Sequence, residues 1–185
     1  MKRIVLLIAL ASIAIAPAAM AQSDIGIKNL GLAVGYVSPE NIDGTFTIGG
    51  FADLGTMAPN LGLEARLDYW SWSQSQFGSE VRVSDVILGA RGKYYFETAN
   101  PRLRPFAGAG LAMHIVSFEE TIPAFPPFPA ETFSSSDTKI GLDIGGGILT
   151  PINPRTDFLG EAWYSIVSDW GQFSLRAGVQ FKIGS

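Results

Sequence analysis

The 185-residue chain has no cysteine, a single histidine, and few charged residues, which make up only 16% of the sequence. The lack of cysteine excludes a disulfide framework, a cysteine zinc site, a thiol nucleophile and a lipid-modified N-terminal cysteine. The net charge of -4 provides no basic surface for phosphate backbones, so we expect no nucleic-acid partner. Yet 47% of the residues are hydrophobic. So much apolar surface with so little charge indicates contact with a membrane.

The first 21 residues have the composition of an export signal. Lys2 and Arg3 precede an apolar run that reaches Ala16, and Pro17 and a small-residue motif around Met20 follow. This order predicts a secretory signal peptide over residues 1–21 that is cleaved. The apolar run is shorter than the ~20 residues that a membrane helix needs, which disfavours an N-terminal anchor as the alternative. We therefore expect an exported protein whose single domain is residues 22–185.

The remaining apolar residues alternate with polar ones. From Phe173 to Ile183, the odd positions are apolar and the even positions are polar or glycine. Such period-two alternation predicts strands with two chemically different faces. Their length suits the tilted bilayer crossing of ~9–11 residues better than the ~5–6 residues of soluble sheets. We predict an all-β, eight-stranded antiparallel up-and-down transmembrane β-barrel, with strands at about 27–38, 44–57, 61–75, 82–97, 103–119, 137–150, 156–169 and 171–183.

The predicted connections are of two kinds. Short segments rich in Asn and Pro near residues 58–60, 98–102 and 150–155 are typical of periplasmic turns. The longest connection, at about 119–137, is rich in proline and falls among the external loops. Its Phe125 and Phe128 are candidates for contact with a partner or with lipid headgroups. The alternative is a rigid loop that packs these phenylalanines on its own rim.

Ionisable residues fall on one face of the predicted strands, which we assign to the lumen. A Lys or Arg that faces lipid at the bilayer midplane costs about 2–4 kcal/mol. Lys28 and Arg82 lie on the other face, but at strand ends, where a long cation reaches the headgroups. The charged face is also rich in glycine, as a narrow eight-stranded interior requires. The predicted lumen charge network is Asp53, Glu64, Arg66, Asp68, Asp85, Arg91, Lys93, His114, Lys139, Asp143, Glu161, Arg176 and Lys182.

A soluble lipocalin-like barrel would show the same alternation with its faces reversed. The export signal, the long strands and the glycine-rich polar face favour the membrane barrel. Aromatic residues near the strand ends add to this, because membrane barrels carry an aromatic girdle at each interface. The predicted girdles comprise Tyr94 and Phe96 at one end, and Tyr36, Phe46 and Tyr69 at the other.

Two strand motifs resemble a known family. Arg104–Leu111, with the sequence RPFAGAGL, resembles the RPYxGAGLG fifth strand of the small eight-stranded bacterial outer-membrane proteins related to OmpX, OmpW and the OmpA transmembrane domain. Leu159–Tyr164, with the sequence LGEAWY, resembles their seventh strand and its inward Glu. The resemblance implies residence in the bacterial outer membrane, contact with its lipid and lipopolysaccharide, and insertion by the barrel-assembly machinery. The chain departs from the family in not ending on an aromatic residue.

The predicted lumen holds six acids and six bases besides His114, and charges in a water-poor interior should pair. We therefore expect a closed, non-enzymatic barrel with a structural or surface-interaction role, whose external loops bind a host or envelope ligand. We expect no catalytic residue, because His114 lacks the His-x-Ser spacing of barrel deacylases. We also expect no cofactor and no metal, since one histidine and no cysteine leave only carboxylates as ligands. The alternatives are an OmpW-like conduit for small hydrophobic molecules, a soluble periplasmic binder, and a lipid A-modifying barrel enzyme.

Overall fold

The fold is a closed ring of eight strands. A computed structural model describes residues 23–76, 78–124 and 129–183, so the predicted signal peptide, Phe125 and Phe128 lie outside the described residues. Each strand pairs antiparallel with the next and the last pairs with the first, which confirms the predicted all-β, up-and-down barrel. The strands are β1 (Asp24–Pro39), β2 (Thr45–Ala58), β3 (Leu61–Gln76), β4 (Ser79–Tyr95), β5 (Arg104–Ile122), β6 (Glu131–Asn153), β7 (Thr156–Val167) and β8 (Trp170–Lys182).

In the described ranges, no helix is long and apolar enough to cross a membrane.

The strands are strongly staggered around the ring. A row of paired residues starts in β1 at Pro39 and crosses each of the seven remaining strands in turn. It returns to β1 at Asn29, ten residues away from its start. A stagger of this kind tilts the strands by roughly 35–45° from the barrel axis. The resulting eight-stranded interior is just wide enough for side chains to fill it.

The two faces of the barrel differ as the alternation predicts. In β7, Phe158, Tyr164 and Ile166 are exposed on the outside, whereas Glu161 and Trp163 are buried in the lumen. Apolar side chains outside and charged ones inside exclude the lipocalin-like alternative, in which the faces are reversed. The apolar outer surface continues around the ring in Leu32, Val34, Ile48, Leu67, Leu88, Leu111, Ile140, Ile144 and Leu175.

Aromatic pairs lie near both ends of the outer surface. The rings of Tyr36 and Phe46 meet edge to face, with centroids 6.5 Å apart, at one end. Tyr94 and Phe96 make a similar contact at 5.3 Å at the other end. Tyr and Phe at these levels mark the two interfaces of a membrane barrel.

The two rims of the barrel are built differently. We call the rim formed by connections 59–60, 96–103 and 154–155 the turn rim. At the opposite rim, β5 and β6 stay paired as far as Ile122 and Glu131, whereas β6 joins β7 only from Gly141 onward. Likewise β3 and β4 stay paired beyond the last β2–β3 partners, Thr47 and Trp70. Residues 71–76, 79–84, 117–122 and 131–136 therefore form a four-stranded projecting sheet. With the described residues of the connections, 40–44, 78, 123–124, 129–130 and 168–169, and with residues 137–139, it makes up the loop rim.

This extension corrects the predicted long loop at 119–137. Strand β5 continues to Ile122 and β6 begins at Glu131, so the connection is residues 123–130 only. The sequence did not predict these strand ends because the alternation of apolar and polar residues fades in the projecting sheet. There, beyond the closed barrel, neither face of the strands meets lipid or a packed lumen. Backbone pairing continues there without the hydrophobic pattern.

Candidate functional site

A closed ring of ion pairs fills the middle of the lumen. Arg91 Nε and Arg66 Nη2 both donate to Asp143 Oδ2, at 3.0 and 2.9 Å. The side chains in the ring are almost fully buried, and each contacts at least two of opposite sign. Since an unpaired charge is costly in such an interior, the ring keeps every charge compensated. Its members alternate in the order Arg66, Asp68, Arg176, Glu161, Arg91, Asp143 and back to Arg66.

Lys93 and Glu64 extend the ring toward the turn rim. Lys93 Nζ contacts Glu64 and donates to Glu161 Oε2 at 3.2 Å. Arg91 Nη1 lies 4.0 Å from Glu64 Oε1. With these two residues the assembly has four cations and four carboxylates, and we call these eight residues the charge network. Eight of the thirteen predicted lumen residues thus lie together, with no net charge.

Glycine makes room for the charge network on the neighbouring strands. A Cβ on Gly110 of β5 would collide with the backbone of Ala90 and with Arg91. A Cβ on Gly49 of β2 would collide with Asp68. The glycine-rich face that the sequence shows is therefore needed because charged side chains lie over their cross-strand neighbours, Arg91 over Gly110 and Asp68 beside Gly49.

Apolar clusters close the lumen on both sides of the charge network. The turn-side plug consists of six buried residues with Tyr95 against them, and the loop-side plug of five buried residues with four more against them. Cations lie on the aromatic faces of the turn-side plug, with Arg91 3.8 Å from the Trp163 ring centroid and Lys93 4.6 Å from that of Phe106. The turn-side plug is Ala33, Phe51, Phe106, Leu149, Leu159 and Trp163, and the loop-side plug is Val37, Trp70, Val83, Ile87 and Ala112 with Ile42, Trp72, Val116 and Trp170.

Loop 40–44 completes the loop-side plug. The Glu40 amide donates to the Gly171 carbonyl at 2.8 Å, and the Gly171 amide donates to Glu40 Oε2 at 3.0 Å. These bonds tie the loop to the start of β8. Ile42 then packs against the plug from above. The lumen is therefore filled at three successive levels: the turn-side plug, the charge network and the loop-side plug.

His114 and Asp85 form a separate pair inside the loop-side plug. His114 Nδ1 lies 2.7 Å from Asp85 Oδ2, and both side chains are fully buried. The edge of one ring meets the face of the other between His114 and Trp170, at a centroid distance of 5.7 Å. No hydroxyl group within the described ranges bonds to His114, so the pair lacks the nucleophile of a hydrolase. No group of three His, Asp or Glu residues among those described is placed to hold a metal ion.

The other three predicted lumen residues lie at the rims, outside the charge network. Near the turn rim, Asp53 accepts hydrogen bonds from Asn29 Nδ2 at 2.5 Å and from the Gly55 amide at 2.9 Å. Lys182 reaches the same rim, where Asp157 lies 3.4 Å away. These groups have the inward parity, but they lie where the strands end and water is available.

Lys139 reaches the loop rim instead. It donates to Asp169 Oδ2 at 2.6 Å and lies 3.7 Å from Asp137. The hydrogen bond with Asp169 raises the pKa of the Lys139 ammonium. Among the described residues, Lys139 is the one cation on the inner side of this part of the rim, and it is already paired.

Sequence reasoning omitted several buried polar residues of the lumen. Ser165 Oγ donates to Asp143 Oδ1 at 2.6 Å and so completes the shell of that carboxylate. Gln180 Nε2 donates to Asp157 Oδ2 at 3.1 Å, and Gln172 is also buried. All four of these residues have the inward parity of their strands. Counting uncharged polar residues and strand ends on that face would have found them.

A family model for the outer membrane protein beta-barrel domain matches residues 5–183. The chain belongs to this family. The outer-membrane barrel is also similar in fold to Neisserial surface protein A (NspA), with a TM-score of 0.60, 19% sequence identity, and 84% of this chain and 95% of that chain covered. A major outer membrane protein from Thermus thermophilus gives a TM-score of 0.56 at 14% identity, with 84% and 99% covered. No curated protein sequence matches the chain.

These findings confirm the predicted resemblance to small eight-stranded barrels and the location in the bacterial outer membrane. The apolar outer surface is therefore the surface that faces lipid. At sequence identities this low, the two solved structures establish only the fold. The function must be inferred from the residues of this barrel itself.

The outer-membrane barrel carries its uncompensated charge on the loop rim. That rim holds eight carboxylates but only two cations, Arg82 and Lys139. The charge network is neutral by comparison. Any molecule that approaches the loop rim therefore meets a negative surface.

Proposed function

We propose that this protein is a closed, non-catalytic outer-membrane anchor that presents its loop rim to molecules outside the cell. The single observation that carries the proposal is the contrast between a lumen blocked at three levels and a sheet that projects beyond it. A filled interior offers no path for solutes. An ordered projecting sheet on a rigid barrel is a surface suited to contact with a partner.

The alternative functions receive less support from the same residues. A conduit for hydrophobic molecules needs an apolar lumen or a lateral opening, whereas the charge network occupies the centre and every strand pairs with both of its neighbours. An enzyme acting on lipids needs a nucleophile beside its histidine, whereas among the described residues the hydrogen-bond partner of His114 is the Asp85 carboxylate, and Trp170 packs against its ring. A closed anchor agrees with both facts.

The proposal implies contact with four partners in or near the envelope. The apolar outer surface contacts outer-membrane lipid, and the outer end of that surface contacts lipopolysaccharide. Insertion uses the barrel-assembly machinery, as is expected of the family. The loop rim is left for a host or envelope ligand.

Conductance tests the closed lumen. In planar bilayers, the purified barrel should give no discrete current steps above the lipid baseline, because plugs and charge network leave no continuous water path. A porin added to the same bilayer serves as the positive control. Regular, reproducible steps from the wild-type barrel would contradict a closed lumen.

Cysteine labelling tests the presentation of the loop rim, and the cysteine-free sequence makes the background clean. Ser134→Cys places a thiol on the projecting sheet, and Glu97→Cys places one on the turn rim. A membrane-impermeant maleimide should label Ser134→Cys in intact cells, and Glu97→Cys only after permeabilisation. The reverse pattern would refute the proposed orientation.

A further inference from the structure

One edge of the projecting sheet has no neighbouring strand. Residues 131–140 of β6 pair with β5 on one side, but β7 joins β6 only from Gly141 onward. On the far side of these ten residues, alternate backbone N–H and C=O groups have no strand partner among the described residues. Native proteins usually protect such an edge, because it is a template for pairing with another chain. We call residues 131–140 the free edge.

The inner face of the projecting sheet is apolar next to this edge. Phe118 of β5 and Phe133 of β6 lie on that face and are 40% and 53% exposed. Val81 of β4 is on the same face, opposite Glu120, and Val83 of the buried loop-side plug lies below it, opposite Phe118. Ile122, 43% exposed, extends the patch toward the tip. An exposed apolar patch above a sealed barrel is typical of an interaction site.

The free edge alternates in chemistry along its length. On the inner face, β6 presents Glu131, Phe133, Ser135 and Asp137 in turn. Its outer face presents only hydroxyl-bearing side chains over residues 132–138. Every second residue of an added strand would therefore face this inner row.

Acidic groups flank the exposed phenylalanine. Glu131 and Asp137 lie on either side of Phe133 along the strand, and Glu120 is its partner on β5. The cation on this face, Lys139, is already engaged by Asp169 and Asp137. Because Asp137 and Asp169 share this one ammonium, the three groups keep one net negative charge, and Glu131 has no ion-pair partner among the described residues. The inner row thus combines an apolar position with net negative charge.

We propose that the free edge binds an extended peptide segment by strand addition, with an apolar side chain against Phe133 and a Lys or Arg facing each of Glu131 and Asp137. The backbone of the segment supplies affinity and its alternate side chains supply specificity. In antiparallel register, the required pattern is a basic residue, three residues, an apolar residue, one residue, and a second basic residue. This inference rests on the proposed function, because the partner must reach the loop rim from outside.

Synthetic peptides test the pattern on the barrel in lipid nanodiscs. The first probe is a Ser/Thr peptide with Lys at the two basic positions and Phe between them. Fluorescence anisotropy should show saturable binding, and hydrogen exchange should slow at those alternate amides of residues 131–140 that have no strand partner, but not elsewhere on the rim. A peptide with Glu in place of both Lys should bind about tenfold more weakly, since two favourable exposed pairs become repulsive. A Lys peptide N-methylated at alternate residues on the pairing edge should not bind.

A charge exchange makes the test independent of the peptide alone. The double variant E131K/D137K should prefer the Glu peptide and lose its preference for the Lys peptide. Equal binding of all three peptides, or slowed exchange outside the free edge, would overturn the inference. Disulfide-linked dimers through Ser134→Cys, without peptide binding, would assign the edge to a second copy and would also overturn it.

The outcomes separate this inference from the proposed function. If Ser134→Cys is labelled on intact cells but no peptide binds, strand addition is wrong and the external anchor stands. If Ser134→Cys is not labelled on intact cells, the proposed function fails whatever the peptides do in nanodiscs.

Discussion

Removing the charge of Glu161 should expose how the lumen depends on its charge network. Glu161 Oε1 accepts a hydrogen bond from Arg176 and lies 3.6 Å from Arg91 Nη1, and its Oε2 accepts from Lys93 at 3.2 Å. Glu161→Gln keeps the shape of the side chain but leaves four buried cations with three carboxylates. Removing one partner of a buried ion pair costs about 3–5 kcal/mol of stability, because the remaining partner becomes a buried, uncompensated charge. We expect a loss of that size in the free energy of unfolding.

A compensating variant separates lost charge balance from lost packing. Lys93→Met removes one of the cations that Glu161 serves, and a thioether chain fits the site against Phe106 and Trp163. In the double variant K93M/E161Q the charge network has no net charge again. Glu64, however, keeps only one cation partner, Arg91, at 4.0 Å. It should therefore regain part of the stability that Glu161→Gln loses. The cycle should give a coupling energy of about 1–3 kcal/mol.

Urea unfolding in lipid vesicles provides the measurement, with the folded fraction read from the mobility of unheated samples in gels. Asp169→Asn is the matched control, because it makes the same acid-to-amide change in an exposed pair with Lys139. The control should leave the urea midpoint unchanged. A change below about 1 kcal/mol for Glu161→Gln, typical of surface pairs, would refute the view that the buried network needs charge balance. A double variant no more stable than the single one would refute it as well.

Two further substitutions test the packing of the lumen. His114→Ala should still give a heat-modifiable barrel in the outer-membrane fraction. The double variant D85A/H114A should be more stable than His114→Ala, since the single change leaves the buried Asp85 carboxylate without its partner. Equal urea midpoints of the two variants would contradict this. Gly110→Ala should lower the free energy of unfolding by about 1–3 kcal/mol through overpacking against Arg91. The control Gly92→Ala faces outward with its nearest atom at 3.8 Å and should not lower it, so equal losses in both glycine variants would show that close approach is not the cause.

The fold was predictable because the two faces of each strand meet opposite surroundings. In β7, lipid on one side and a packed lumen on the other select Phe158 and Tyr164 outward and Glu161 inward. Eight such strands, joined by short connections, permit little besides a closed antiparallel ring. The same logic failed beyond Glu119, where both faces of the sheet lose that contrast although the backbone stays paired to Ile122.

The membership of the charge network was only partly predictable. Parity identified its eight members, but it also included Lys139 and Lys182, which bend toward water at the rims. Parity could not predict which charged residues pair with each other, because that depends on the stagger of the strands around the barrel. Asp68 and Arg176, for example, are 108 positions apart in the chain and meet only because their strands bring them to one level of the lumen.

The distribution of charge also indicates which surface is functional. The network is neutral and enclosed, so it exerts little field on molecules outside. The loop rim, with eight carboxylates and two cations, accounts for the excess of acids over bases that remains once residues 1–21 are set aside. A field from this rim extends over roughly the 8–10 Å Debye length of physiological salt. It attracts basic segments and repels polyanions before contact, and the free edge lies within it. Selection by charge at a distance and by strand pairing on contact would then act on the same partner.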